Sequence, residues 1–272
     1  MAETTKILAP KRTVLFPVLE AGCSLAETVT ADDVLGLRKE HPDGLVVSYI
    51  NTSAAVKAES DICFTSTNAV EVVLSLPEDQ EVLFIPDFFL GNHVRRVTRR
   101  RLELWMGECH VHAKISPVQL RKKLAAEPDS RLLVHPEFGC TAAALTFLDD
   151  GEISPERGHI LSTGSALIAT ETVILHQLRK ASPLGDFRAE DEEASCEFMK
   201  IITPESLLRS LRERNYEIHV PEDARQRSSA AVERMVGIGP SPAASRWVRH
   251  QVAILPSQKL IRVVLSFLPA LS

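Results

Sequence analysis

Residues 107–116, GECHVHAKIS, place a cysteine seven positions ahead of a hydroxyl residue, and the same layout stands at 21–30, AGCSLAETVT, and at 194–203, ASCEFMKIIT. Cys23, Cys109 and Cys196 lie 86 and 87 residues apart, the mark of a repeated unit. Thr30 in TADD, Ser116 in SPVQ and Thr203 in TPES each suit a helix N-cap, with a carboxylate, amide, proline or second hydroxyl in the first turn. Three helices are therefore expected to start at one offset from three thiols.

Outward from the caps, residues 34–51, VLGLRKEHPDGLVVSYIN, and 119–137, QLRKKLAAEPDSRLLVHPE, both read as an amphipathic helix, a Pro-Asp turn and a short strand. Residues 199–223, MKIITPESLLRSLRERNYEIHVPED, keep the cap and helix and reach a strand at 217–220. Further strands are expected at 13–16, 62–66, 81–87, 102–105, 158–163 and 166–171, with helices at 68–76 and 171–179. This alternation predicts an α/β protein of pseudo-threefold design, three α/β/α units with parallel sheets covered on both faces, the first unit incomplete.

In open α/β units, ligands sit outside the carboxyl ends of the strands, and Tyr49, Asn51, His135 and Glu137 stand there at matching offsets. Three related units would bring Cys23, Cys109 and Cys196 to one place, and three converging thiolates suit a metal or a cluster. A duplicated fold whose cysteines only pack is the competing reading. His135 and Glu137, two apart on one strand face, form a candidate proton-transfer pair; a satisfied core histidine is its plain alternative. Ser66 and the pair Ser162-Thr163 lie in hydroxyl-rich turns after strands, suited to phosphate or carboxylate, or simply to capping a helix.

Composition narrows the rest. The chain has 272 residues, 44% apolar and 25% charged, with a net charge of −5, which is ordinary globular composition. Arg95, Arg96, Arg99, Arg100 and Arg101 read as the solvated face of a helix, so no nucleic-acid partner is assigned. The first twenty residues break a short apolar run with charges and prolines, and no stretch nears the roughly eighteen apolar residues of a membrane span. An intracellular, cytoplasmic setting without membrane contact is expected. Five cysteines without a CxxC pair fit a reducing compartment rather than a disulfide framework. Cys63 and Cys140 fall outside the threefold spacing and are left as packing or redox-exposed thiols.

An ordered set of motifs resembles the quinolinate synthase family: AGCSLA at 21–26, YINTS at 49–53, TSTNA at 65–69, Pro86-Asp87 with Leu90-Gly91, and GECHVH at 107–112. It continues through His135-Pro136-Glu137, Ser162-Thr163-Gly164, Ala169-Thr170-Glu171 with His176, and Cys196 with Met199-Lys200. The resemblance implies a [4Fe-4S] cluster held by Cys23, Cys109 and Cys196, with one iron lacking a protein ligand. It implies condensation of iminoaspartate with dihydroxyacetone phosphate to quinolinate, in pyridine nucleotide (NAD) biosynthesis, by an iron–sulfur transferase. Tyr49 and Asn51 would be donors to substrate oxygens, His112 would be an active-site histidine, and His135, Glu137, Ser66, Ser162 and Thr163 would complete the site. L-aspartate oxidase or aspartate dehydrogenase would supply the first substrate.

The sequence also departs from the family. Most of a first α/β unit would be wanting, with residues 1–23 its remnant, completed by 197–239; the second unit would be 24–109 and the third 110–196. A helix expected after Gly164 is lacking, so the strands at 158–163 and 166–171 cannot both keep family positions. Residues 240–272 match nothing in the family. Two other outcomes follow: an inactive or truncated iron–sulfur-binding relative, or a plain α/β scaffold without metal.

Overall fold

The computed structural model describes residues 1–127, 130–135 and 165–238. After helix α1 (Ala2–Leu8) comes α2 (Ala31–Glu40), which leads into strand β1 (Leu45–Tyr49). Then follow α3 (Ala54–Ala58), β2 (Ile62–Phe64), α4 (Ala69–Leu74), β3 (Val82–Ile85), α5 (Phe88–Thr98) and β4 (Leu102–Leu104). The second half holds α6 (His110–Lys114), α7 (Pro117–Ala126), β5 (Arg131–Val134), β6 (Ser165–Ala169), α8 (Ile174–Ala181) and β7 (Asp186–Ala189). Helices α9 (Glu197–Lys200), α10 (Pro204–Glu213) and α11 (Glu222–Ile238) close the described chain.

The fold class is α/β with parallel sheets, as the alternation predicts. One sheet runs β2-β1-β3-β4 and the other β5-β6-β7, every pairing parallel. Successive residues of a strand point to opposite faces. In the first sheet Val47, Tyr49, Phe64 and Phe84 pack on one side with Leu90, Val94 and Val232. Val46, Leu83 and Ile85 pack on the other with Val34 and Val56. Both faces are dry, which explains strands made almost wholly of apolar residues. In the second sheet Ala166, Ile168 and Phe187 join Leu175 of α8, while Leu132 and Val134 pack with Val111, Ile115 and Leu120.

The repeat written around the cysteines is a repeat of structure. Thr30, Ser116 and Thr203 each accept a hydrogen bond from the backbone N–H three residues on, and the helix that each caps is ten residues long. One turn earlier, the carbonyl of each cysteine accepts from the amide four residues later: Glu27 to Cys23, Ala113 to Cys109 and Lys200 to Cys196. Cys109 and Cys196 share nearly one backbone conformation, φ −78° with ψ 116° and φ −90° with ψ 114°.

Several expected elements differ. The strand at 13–16 is not formed; Leu15 makes a single antiparallel bridge to Glu217, so the strand at 217–220 is absent as well. Neither segment has a sheet to join, and each satisfies its backbone with the other, Ile218 donating to Val14 and Phe16 to Tyr216. The helix expected at 171–179 begins instead at Ile174, because residues 171–173 form a turn with other work, described below. β7 is a strand the sequence reading missed. The expected strand at 158–163 lies outside the described residues, while Ser165–Ala169 takes the centre of its sheet.

Candidate iron–sulfur and substrate site

Both sheets present their polar residues at strand carboxyl ends. Tyr49 ends β1, buried and 5.3 Å centroid to centroid from Phe64; Asn51 follows it, half-buried. Ser66 follows β2 and is half-buried. His135 follows β5, its amide bonded to the Ala169 carbonyl of β6. Glu137, Ser162, Thr163 and Cys140 lie outside the described residues.

The three thiol turns are tied to one another through the residue after each cysteine. Ser24 Oγ lies 2.6 Å from His110 Nδ1, and His110 Nε2 lies 3.0 Å from Glu197 Oε2. The carboxylate can only accept, so Nε2 carries a proton, and in the neutral ring Nδ1 then accepts from the Ser24 hydroxyl. Gly107 brings the first two turns closer still. A Cβ there would collide with Thr28 Oγ1 and the Pro86 carbonyl, so only glycine admits that approach. Nearby, Trp105 Nε1 donates to the Thr28 carbonyl at 3.0 Å.

Cys109 packs against the cores of both sheets, and Cys196 against that of the second. Burial pushes the Cys196 thiol up, and the charges of Cys109 and Glu197 push the same way, against backbone hydrogen bonds from Met199 and Phe198. Left unliganded it stays protonated at neutral pH, so a bound metal must displace that proton. Among the described residues the one set with all ligand atoms within 4.8 Å is His110, Cys196 and Glu197. Soft thiols on like turns that hydrogen bonds tie together, none of them in a disulfide, are a donor set that fits an iron–sulfur cluster.

His112, on α6 three residues past Cys109, is buried and stacked on His135 with ring centroids 4.9 Å apart and planes 2° off parallel. Its Nε2 lies 2.8 Å from Thr170 Oγ1. The structure therefore brings two of the expected histidines together and adds Thr170, quoted among the family motifs without a role. Cys63, by contrast, is fully buried within β2 of the first sheet with its thiol pushed up by burial, a packing residue.

A second residue missed by sequence reading is Lys57. It is fully buried, and its ammonium donates to the carbonyls of Ile50 and Thr52, on either side of Asn51. Lysine is ordinarily an exposed residue, so no local signal pointed there. Burial pulls its pKa from 10.5 down to about 8, with Cys63 and Glu3 opposing. The folded state thus releases this proton before the unfolded chain does, and the unfolded chain holds more protons between pH 8 and 10.5. This group's penalty on folding, about 3 kcal/mol at neutral pH, fades as pH rises through that window. Urea unfolding at pH 7.5, 9 and 10 should show the native chain gaining stability relative to Lys57→Met. Parallel pH profiles of the two proteins would contradict it.

Among the described residues no helix is long and apolar enough to cross a membrane. A family model described as Quinolinate synthetase A protein matches residues 1–237. Curated proteins named quinolinate synthase are similar over most of the chain. That of Mycobacterium tuberculosis is 51% identical over 252 residues, covering 88% of this chain and 72% of its own. Those of Mycobacterium sp. strain KMS and Mycobacterium leprae are 50% identical over 88% of this chain, covering 75% and 72% of theirs.

Proposed function

The chain belongs to the quinolinate synthase family, and from that premise we propose that it condenses iminoaspartate with dihydroxyacetone phosphate to quinolinate. The reaction releases phosphate and two waters, and places the chain in de novo NAD biosynthesis. The observation that carries this reading is the hydrogen-bonded line Ser24, His110, Glu197, which joins the three thiol turns at adjacent positions.

Cys23, Cys109 and Cys196 would hold a [4Fe-4S] cluster. When bound, it supplies a Lewis-acidic iron with an open position. Tyr49 and Asn51, at the tip of β1, donate hydrogen bonds to substrate oxygens, and Lys57 fixes the backbone between and beyond them. His112, held by Thr170 and stacked on His135, keeps one ring orientation, which a proton-transferring imidazole needs. His135, at the end of β5, and Glu137 act as the proton-transfer pair. Ser66, Ser162 and Thr163 bind phosphate or carboxylate through hydroxyl and backbone donors.

The four cysteines among the described residues, none in a disulfide, fit a reducing, cytoplasmic setting. An unstable imine substrate calls for a nearby source, L-aspartate oxidase or aspartate dehydrogenase. The test is an anaerobic assay of the reconstituted chain with iminoaspartate generated in place and dihydroxyacetone phosphate added. Quinolinate is the expected product. A fully loaded chain that forms none would reduce the protein to an iron–sulfur-binding relative without catalysis.

A further inference from the structure

At the end of β6 stands a carboxylate that faces the third thiol turn. Glu171 is 7% exposed, and both of its oxygens are engaged. Oε1 accepts from the backbone N–H of Cys196 at 3.2 Å and pairs with Lys200 Nζ at 3.3 Å. Oε2 accepts from the backbone N–H of Val173 at 2.7 Å. One residue on, the Thr172 amide donates to the Ala194 carbonyl at 2.9 Å, so the 171–173 turn and the 194–196 segment are stitched side by side.

The amide of Cys196 precedes the first turn of α9, so nothing inside that four-residue helix can satisfy it. Glu171 does so with charge, and Lys200 from the far end of α9 neutralises the same oxygen. The turn that presents the Cys196 thiol is thereby clamped at both ends to one carboxylate just past the end of β6. Hydrogen bonds to a buried charged group are among the stronger ones a protein makes. Thr170, the preceding residue, holds His112, so one strand tip fixes both a histidine and a thiol.

We propose that Glu171 is a positioning residue for Cys196: its carboxylate sets the thiol turn before any cluster arrives. The inference rests on the functional reading above for its purpose, but not for its first test. In the unloaded chain, kept reduced and anaerobic, alkylation by iodoacetamide is followed separately at Cys196, Cys109 and Cys63 by peptide mass spectrometry. Glu171→Ala should raise the Cys196 rate on the order of tenfold, the scale of losing one hydrogen bond to a charge, and leave Cys109 nearly unchanged. Cys63, buried in the first sheet, must stay protected, which certifies that the variant is folded.

Glu171→Gln, which keeps an acceptor for the amide but not the charge for Lys200, should fall between. A second readout is the electron paramagnetic resonance spectrum of reduced, reconstituted protein, which should broaden or shift in Glu171→Ala and recover in Glu171→Asp only in part. Equal Cys196 rates in native chain and folded Glu171→Ala would overturn the proposal. If the native chain takes up no cluster, the functional reading fails, yet the alkylation result still decides the role of Glu171.

Discussion

Cys196→Ala is expected to yield a folded chain that takes up no iron above background and makes no quinolinate. Cys196 is only half-buried and caps a short helix without using its side chain, so removing its sulfur costs little packing. What it removes is one of three anionic donors, and two thiolates do not hold a cluster that needs three. Cys23→Ala and Cys109→Ala should behave alike, since all three stand on turns closed by the same carbonyl-to-amide bond. Cys63→Ala is the contrast. Its thiol is fully buried in the first sheet, 3.6 Å from Ser48 Oγ, so iron content and activity should survive. Iron uptake by Cys196→Ala equal to that of the native chain would show that the threefold spacing has another purpose.

Phe84→Ala should cost about 3–5 kcal/mol, the largest stability loss expected from one side chain here. Phe84 is fully buried at the centre of β3 and stacks on Phe64 with ring centroids 4.4 Å apart. Its ring also fills the space that Gly91 leaves on α5, where an added Cβ would meet the ring at 3.0 Å. Deleting the ring leaves a cavity between β2, β3 and α5 that the parallel ladder cannot close without breaking the Val47 to Phe84 register. Against a total of about 5–15 kcal/mol for a domain, such a loss brings the chain near its unfolding threshold. Denaturant titration measures it, and a loss under about 1 kcal/mol would mean the site collapses freely.

The repeat was legible because its signals are local. A hydroxyl cap declares itself to the amide three residues on, whatever lies beyond, and Thr30, Ser116 and Thr203 all do so. The strands at 62–64 and 82–85 were legible because burial on both faces forces unbroken apolar runs. β7 was not, since Asp186–Ala189 buries little besides Phe187 and sits at a sheet edge, where polar residues are tolerated. The strand expected at 13–16 failed for the converse reason: it has an apolar pattern but no neighbouring sheet to pair with, only Glu217. Lys57 was beyond reach of pattern because lysine is ordinarily exposed, and the role of Glu171 because its partner Cys196 lies 25 residues away and is brought to it by tertiary packing.

Of the candidate site, the three thiols are proposed from their offset and His112 and His135 separately from motif; that the two rings stack was not legible. The ties among them, Ser24 to His110 and on to Glu197, required seeing which loops meet. Each of those residues directly follows a cysteine, so the same repeat that aligns the thiols aligns the residues that bind their turns together. Sequence spacing states that three like turns exist; only the folded chain states that they touch.

The most direct measurement is iron and acid-labile sulfide on the native chain after anaerobic reconstitution, desalting and a check of monodispersity. Thiol turns that converge predict a brown protein with about four irons and four sulfides per chain, bleached by air. A well-folded, colourless chain that keeps fewer than about one iron per molecule would contradict the claim that Cys23, Cys109 and Cys196 act as one ligand set.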